Sequence, residues 1–199
     1  MTTMNDVLPV VVPADHVPGP RQGQWTYADY AALPDDGHRY EVVAGVLYMA
    51  PAPNMAHQAA LRWFVHYLTT YVQLTGTGQV FCAPCDVELA PNRVVQPDVI
   101  VVLAAHSGII TPSRIVGVPD LVIEIASPGT AGYDRREKQD TYASAGVPEY
   151  WIADPYARTV EVLVLEDGGY RSLGVFQGKA TLPSRVVPRL RVRVEQFFA

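Results

Sequence analysis

Three residues in the middle of the chain could act together on a phosphodiester bond. Asp98 precedes the apolar run Val99–Leu103, and Glu124 lies within the run Leu121–Ala126. Lys138 follows, and it is one of only two lysines among the 15 basic residues. Two strand acids followed by a lysine are the residue types that metal-dependent phosphodiester cleavage uses. Whether the fold brings these three side chains together decides what chemistry the chain can perform.

The two acids would meet if their strands are antiparallel neighbours, because the start of one strand then lies beside the end of the other. Buried carboxylates are costly unless they are paired or bind a cation. Two carboxylates, the backbone carbonyl of Ile125 and water suit a hard ion such as Mg²⁺ or Mn²⁺. The spacing therefore predicts that Asp98, Glu124 and Ile125 hold a divalent metal.

Lys138 is predicted to lie in a helix on the same face as Tyr142 and Ala145. These two residues are the candidates for the core-facing side of the helix, so Lys138 should point toward the sheet, with Tyr142 at the edge of the site. There the ammonium group could orient or help to deprotonate an attacking water and screen the charge of the phosphate.

Each of the three residues also has a purely structural interpretation. Asp98 follows a proline and could cap the start of its strand in a half-exposed position. Glu124 could belong to a buried salt bridge without a metal. Lys138, near other charged residues at a helix start, could be solvated. The presence of all three together favours a catalytic set.

The elements that must position these residues follow from periodicity and turn signals. Thr26 opens a short helix with a capping box, and Ala44-Gly45 forms a hairpin turn. A long helix from Asn54 to about Leu74 carries an apolar stripe. Strands are predicted at 79–89 with a break at Pro84, and at 94–103, 119–126 and 148–153. A helix is predicted at 134–145, a hairpin at 158–175 and a helical turn at 195–198. This order predicts a mixed α/β domain with a central sheet flanked by helices.

Composition and charge exclude several classes of protein. The 199 residues are 49% hydrophobic and 18% charged, which is typical of a globular chain. No apolar run is long enough to span a membrane and the N-terminus lacks a signal-peptide pattern, so we expect a cytoplasmic protein. The net charge of −5 argues against a non-specific nucleic-acid coat, although a bound metal would supply positive charge locally. Cys82 and Cys85 lack the second pair that a structural zinc site needs.

Several segments resemble the Uma family of endonucleases, within the PD-(D/E)XK nuclease superfamily. The most specific are the Glu-x-x-Ser-Pro stretch at 124–128 and the helix pattern Asp-x-x-x-Lys-x-x-x-Tyr at 134–142. The resemblance covers about residues 25 to 199. It also includes Tyr40–Gly45, His57, Gln96–Val99, Pro119–Pro128 and Gly146–Ile152.

The resemblance implies a restriction endonuclease-like α/β fold with a mixed central β-sheet flanked by helices. Residues 25–199 would form a single domain, preceded by a mobile tail at residues 1–24. The resemblance implies Asp98 and Glu124 as metal ligands and Lys138 as the catalytic lysine. It adds Glu41 as a further acid near the metal, with an exposed strand position as the alternative. The superfamily usually places its lysine two residues after the second acid, where this chain has Ala126, so Lys138 is a relocated lysine.

Three further sets of residues have weaker claims to the site. His57, in the first turn of the long helix, either caps or packs there or lies at the site edge. Ser127 either ends its strand or forms a nucleophile pair with Lys138, for which the chain has no oxyanion-hole motif. The alternating arginines at 189–193 would share one strand face, either solvated or contacting phosphates.

The sequence therefore predicts a Mg²⁺- or Mn²⁺-dependent endonuclease that hydrolyses phosphodiester bonds in nucleic acid, with DNA as the expected substrate. Nucleases that cut both strands often act as two-fold dimers, so a homodimer is expected by analogy with the fold. The alternative is a non-catalytic interaction module that keeps the nuclease fold. The acidic net charge favours this alternative, whereas the intact Asp98, Glu124 and Lys138 disfavour it.

Overall fold

The computed structural model describes residues 11–50, 52–126 and 137–199. Its strands are β1 (Val12–Pro13), β2 (Arg39–Val43), β3 (Val46–Ala50), β4 (Gly78–Cys82), β5 (Val87–Ala90), β6 (Arg93–Val95), β7 (Val99–Leu103), β8 (Ile115–Val116), β9 (Leu121–Ile125), β10 (Glu149–Asp154), β11 (Thr159–Glu166) and β12 (Gly169–Gln177). The helices are α1 (Tyr27–Ala31), α2 (Met55–Leu68), α3 (Gln139–Ala145), a π-helical turn (Thr69–Gln73) and two 3-10 helices (Ala104–Ile109 and Val194–Phe198). Among these residues, no helix combines the length and hydropathy that a membrane crossing requires.

The central sheet has the strand order β12-β11-β10-β9-β7-β4. It is mixed, because β9 and β10 are parallel whereas the other neighbours are antiparallel. Strands β7 and β9 are buried, as their continuous runs of valine, isoleucine and leucine predict. Helix α2 packs on one face of this sheet, and the Tyr142 side of α3 packs on the other. The predicted α/β fold with a helix-flanked mixed sheet is thus confirmed.

A second sheet, which the sequence did not predict, covers the α3 face of the central sheet. Its strand order is β1-β3-β2-β6-β5-β8. Val43, Val87 and Ile115 of the second sheet belong to the same buried cluster as Ile100 and Val122 of the central sheet. The two sheets therefore share one apolar layer.

The second sheet corrects two of the predicted strands. Segment 79–89 divides into β4 in the central sheet and β5 in the second, and segment 94–103 divides into β6 in the second sheet and β7 in the central one. Pro84 and Pro97 lie at the two breaks. A proline cannot donate an N–H to a ladder, so each marks a point where the chain leaves one sheet for the other.

Helix α2 begins at the predicted cap and carries the predicted stripe. The Asn54 side chain accepts a hydrogen bond from the N–H of His57 (3.0 Å). Phe64 stacks on Phe197 of the C-terminal 3-10 helix, with 4.3 Å between the ring centroids. The buried stripe consists of Ala60, Phe64 and Leu68 of α2 and Val72 of the π-helical turn, whereas Leu61 and Val65, which the spacing also placed in it, are only partly buried. The long helix and the helical turn at the C-terminus are both confirmed.

Residues 11–24 pack on the second sheet, although the sequence suggested a tail over residues 1–24. Strand β1 pairs with β3, and the N–H of Ala14 donates to the Leu47 carbonyl (2.8 Å). The Leu47 N–H in turn donates to the Gln22 side chain (2.8 Å). Periodicity could not reveal this pairing because β1 has only two residues. Residues 1–10 lie outside the described part, and the domain boundary at residue 25 stays a prediction.

A buried carboxylate attaches the C-terminal segment to the central sheet. Glu149 at the start of β10 is fully buried. Its Oε1 accepts hydrogen bonds from Trp151 Nε1 and Ser184 Oγ, each at 2.7 Å. Its Oε2 accepts from the backbone N–H groups of Arg185 (2.7 Å) and Val186 (3.2 Å). The four donors satisfy the carboxylate and fix the chain after β12.

We expect Glu149→Ala to lower the free energy of unfolding by about 3–5 kcal/mol, because it leaves buried donors without their charged acceptor. Urea denaturation followed by circular dichroism measures the change. Glu161→Ala is the matched control, since the Glu161 side chain on β11 accepts a hydrogen bond from the exposed Ser172 side chain (2.9 Å); it should change stability by about 0.5 kcal/mol or less. Equal stabilities of the two variants would contradict the anchoring role of Glu149.

Candidate active site

Asp98 and Glu124 lie opposite each other at one end of the β7–β9 ladder. The strands are antiparallel and pair Val99 with Ile123, so the next residues outward are the two acids. Cross-strand partners project from the same face of a sheet. Both residues are only 3% exposed. The register therefore produces the predicted meeting of two carboxylates at one edge of the sheet.

Asp98 is held by several hydrogen-bonding and charged groups. Its Oδ2 accepts a hydrogen bond from the N–H of Ile125 (2.7 Å) and lies 3.0 Å from Nε2 of His57. Arg39 Nη1 lies 3.8 Å from Oδ1. Burial raises the pKa of Asp98, but His57, Arg39 and the Ile125 N–H together outweigh burial and hold the pKa below its ordinary value. Asp98 is therefore a carboxylate at neutral pH.

Lys138 is buried beside the two glutamates. Its residue exposure is 4%, and its Nζ donates hydrogen bonds to Glu124 Oε1 (2.9 Å) and Glu41 Oε1 (3.1 Å). It lies immediately before α3, and the first predicted turn of that helix, from Asp134, falls outside the described residues. This burial excludes a solvated position for Lys138. The burial of Asp98 likewise excludes a half-exposed capping position for that residue.

Tyr142, one helical turn after Lys138, also reaches the acid pair. Its hydroxyl donates to Glu124 Oε1 at 2.6 Å, and its ring packs against Tyr150. Burial, followed by the charges of Glu124 and Glu41, raises the pKa of Tyr142 well above its ordinary value. The hydroxyl therefore stays protonated and acts as a fixed donor to Glu124.

Glu41 enters the site from the second sheet. Its neighbours Tyr40 and Val42 face a separate apolar cluster, so Glu41 projects toward the central sheet, as alternation along a strand requires. It is 1% exposed, which excludes the exposed position that the sequence left open. In addition to Lys138, the backbone N–H of Gln96 donates to its Oε1 (2.9 Å).

Arg39 is a neighbour of the site that the sequence did not single out. It precedes Glu41 by two residues and so shares its face of β2. Its guanidinium donates to the Gln96 carbonyl, and Nη2 lies 3.5 Å from Glu41 Oε1. Burial lowers the pKa of Arg39, but the charges of Glu41, Asp98 and Glu124 raise it above its ordinary value. The signal available in the sequence was the two-residue spacing of Arg39 and Glu41, which places both side chains on one face of a strand.

The three weaker candidate sets from the sequence differ in their relation to the site. His57 combines both of its predicted roles, because its N–H bonds Asn54 while its ring contacts Asp98. Ser127 lies outside the described residues. The alternating arginines at 189–193 are exposed, but they precede the C-terminal 3-10 helix in a segment without a regular strand. Among the described residues they make no hydrogen bond or ion pair with Asp98, Glu124 or Glu41.

The donor chemistry of the site fits a hard divalent cation. The three buried carboxylates of Glu41, Asp98 and Glu124 lie close to Arg39 and Lys138, and carboxylate oxygens are the ligands that hard cations prefer. Within the described ranges, no three acidic, histidine or cysteine side chains are close enough to hold an ion by themselves. Mg²⁺ is commonly bound by one or two carboxylates with water and substrate phosphates completing its coordination. Asp98 and Glu124 meet that requirement.

Comparison with a solved structure identifies the fold. The crystal structure of a "putative nuclease belonging to DUF820" from Anabaena variabilis ATCC 29413 superposes with a TM-score of 0.72. The alignment covers 87% of this chain and 97% of that one at 20% sequence identity, so the likeness concerns the fold. No curated protein sequence matches the chain.

A family model establishes the relationship at the level of sequence. The Uma2 model, described as "Putative restriction endonuclease", matches residues 27–195. The match spans most of the chain and includes Glu41, Asp98, Glu124 and Lys138. This chain therefore belongs to the Uma2 family of restriction endonuclease-like proteins.

Proposed function

We propose that this protein is a metal-dependent endonuclease that hydrolyses phosphodiester bonds in DNA. The observation that carries the proposal is the contact of Lys138 Nζ with Glu124, directly beside Asp98. Family membership supports a nuclease, and the acid pair supports metal dependence. The choice of DNA rests on the resemblance to restriction endonucleases.

Asp98 and Glu124 would hold Mg²⁺ or Mn²⁺, with the backbone carbonyl of Ile125 as an additional ligand. The bound cation would supply Lewis-acid activation of a water molecule and charge stabilisation of the phosphate. Glu41 supplies a third carboxylate at the edge of this set. The remaining steps depend on how the protein's own side chains hold these ligands and the attacking water.

Lys138 is the group assigned to the reaction itself. Its ammonium carries hydrogen-bond donors that can orient the attacking water in line with the leaving group and reduce the negative charge that develops on the phosphate. Glu41 and Glu124 fix the position of Nζ from two sides. Lys138 is therefore held in place by both glutamates, although it lies at the start of α3 and not on a strand.

Three neighbouring groups position the carboxylates proposed to bind the metal. His57 and the N–H of Ile125 both bond Asp98 Oδ2, so Oδ1, which lies 3.8 Å from Arg39 Nη1, is the oxygen that we assign to the metal. Tyr142 fixes Glu124 through Oε1. Groups of this kind set the orientation of metal ligands and affect metal affinity.

A homodimer is part of the same proposal, since cleavage of both strands requires two centres; sedimentation analysis with and without duplex DNA tests it.

The second candidate function is an interaction module without catalysis, which the net charge of −5 favours. The three predictions that follow separate the two functions.

Replacement of Lys138 by Ala should reduce the rate of plasmid cleavage in Mg²⁺ or Mn²⁺ by roughly 10²- to 10⁴-fold, the usual contribution of a positioned acid–base group. Single-turnover cleavage of supercoiled DNA measures the rate. Lys179→Ala removes the other lysine of the chain, which is exposed, and should cleave like the wild type. Wild-type activity in Lys138→Ala, with its fold verified by thermal melting, would remove Lys138 from the mechanism.

Replacement of Asp98 by Asn should abolish tight binding of Mn²⁺, because it removes one of the two anionic ligands while conserving side-chain volume. Isothermal titration calorimetry without nucleic acid gives the affinity directly. Asp167→Asn, in the exposed turn between β11 and β12, controls for the loss of one negative charge. Unchanged binding in Asp98→Asn, or no binding by the wild type, would favour the non-catalytic module.

Replacement of His57 by Ala should weaken Mn²⁺ affinity by about 10- to 100-fold, the usual effect of losing a group that orients a ligand. His66→Ala, in the same helix but without contact to Asp98, should leave the affinity unchanged. The same titration calorimetry applies to both variants. If both variants bind Mn²⁺ like the wild type, His57 has only its role in packing α2.

A further inference from the structure

A cavity of about 550 Å³ opens beside the candidate site, and Arg39 and Gln96 contribute to its lining. A second cavity of about 380 Å³ lies next to it. Tyr30, Asp86 and Gln96 line both, so these residues separate the two spaces. Each volume lies within the range of small-molecule sites. The cavities adjoin the candidate site through the backbone of Gln96, which bonds Glu41 and Arg39.

The side-chain amide of Gln96 is fixed on one side only. Its Nε2 donates to the Tyr30 hydroxyl (2.9 Å) and to Asp86 Oδ1 (2.8 Å). The opposite orientation of the amide would place its oxygen against the Asp86 carboxylate, so these contacts define which atom is which. Its Oε1 is buried and has no hydrogen-bond partner in the described part of the chain. Buried acceptors almost always have a donor, so this atom requires one from a bound water or from a ligand in the cavity.

Asp86 provides a second acceptor at the same position. Its Oδ1 accepts from the Tyr30 hydroxyl (2.8 Å) as well as from Gln96. Its Oδ2 takes part in none of the hydrogen bonds formed within residues 11–50, 52–126 and 137–199. A ligand that satisfies both Asp86 and Gln96 must therefore present hydrogen-bond donors, which an amino group with its two N–H bonds can supply.

The charges of the lining determine which part of a nucleotide fits. Asp35 and Asp86 lie in the wall of the larger cavity. Arg39 also lines this cavity, but its guanidinium already contacts Glu41 and Asp98. A phosphate would meet unbalanced negative charge there. A neutral base with an exocyclic amino group would instead find two acceptors and would not be repelled by these carboxylates.

Aromatic rings line the same cavity and suit a planar ligand. Tyr27 and Tyr30 contribute their rings, whose centroids are 6.1 Å apart. The Arg114 guanidinium lies over Tyr27 at 3.9 Å and holds that ring in place. Unpaired bases gain affinity by stacking on such side chains.

We propose that this cavity binds an unpaired nucleobase with an exocyclic amino group, next to the bond that is cleaved. Gln96 Oε1 and Asp86 accept hydrogen bonds from that base, and Gln96 is a specificity-determining residue. This inference rests on the proposed function, since it takes nucleic acid as the substrate. The Gln96 backbone links the base subsite to Glu41, so the identity of one base is read at a fixed position relative to the metal-binding acids.

The test compares binding of labelled single-stranded oligo-dC and oligo-dT of equal length to the full chain in EDTA, by fluorescence anisotropy. Cytosine carries an exocyclic amino group and thymine does not. The wild type should bind oligo-dC more tightly by on the order of tenfold, the discrimination expected of one good base contact. Gln96→Leu, which conserves the size of the side chain, should remove most of that preference.

Two further variants make the result decisive. Asp86→Asn should also reduce the preference, so the test does not depend on the folding of Gln96→Leu alone. Gln177→Leu changes an exposed glutamine of β12 and should preserve the preference. Equal binding of both oligonucleotides by the wild type, or a preference kept in both cavity variants, would overturn the inference. A base preference without cleavage would overturn the nuclease proposal alone, and cleavage without a base preference would overturn the subsite alone.

Discussion

Burial of three carboxylates between two sheets is the constraint on which this structure depends. Glu41, Asp98 and Glu124 are each 3% exposed or less, and unpaired charges at such depth would cost several kcal/mol each. Lys138 and Arg39 supply the opposing charge. The docking of the second sheet and the placement of α3 are therefore coupled to the electrostatics of the site, because each contributes a charged group that the others need.

The acid pair and the lysine could be predicted because local rules determine them. The alternation along β7 and β9 fixes which face Asp98 and Glu124 share, and the helical period places Lys138 beside Tyr142. The second sheet could not be predicted, because its short strands pair across long sequence separations and the breaks at Pro84 and Pro97 resemble interruptions within one strand. The contacts of Arg39 depend on that sheet, so they were missed as well.

The position of the lysine changes how the site is built. The side chain of a lysine at position 126 would project from the same face of β9 as Glu124, so one strand would carry both groups. Ala126 is instead small and buried, and the ammonium of Lys138 reaches the acids from the α3 side. This approach places Nζ between glutamates of different sheets. The relocation thus links helix, central sheet and second sheet through one atom.

The distance along the chain between Glu41 and Lys138, 97 residues, has a consequence for biosynthesis. During translation the ribosome releases the hairpin with Glu41 long before it releases Lys138, and α3 cannot dock until β10 and its neighbours have also emerged. A nascent or truncated chain would therefore lack the complete set of charged groups. The candidate site is therefore assembled late in synthesis, once the segment that carries Lys138 has left the ribosome.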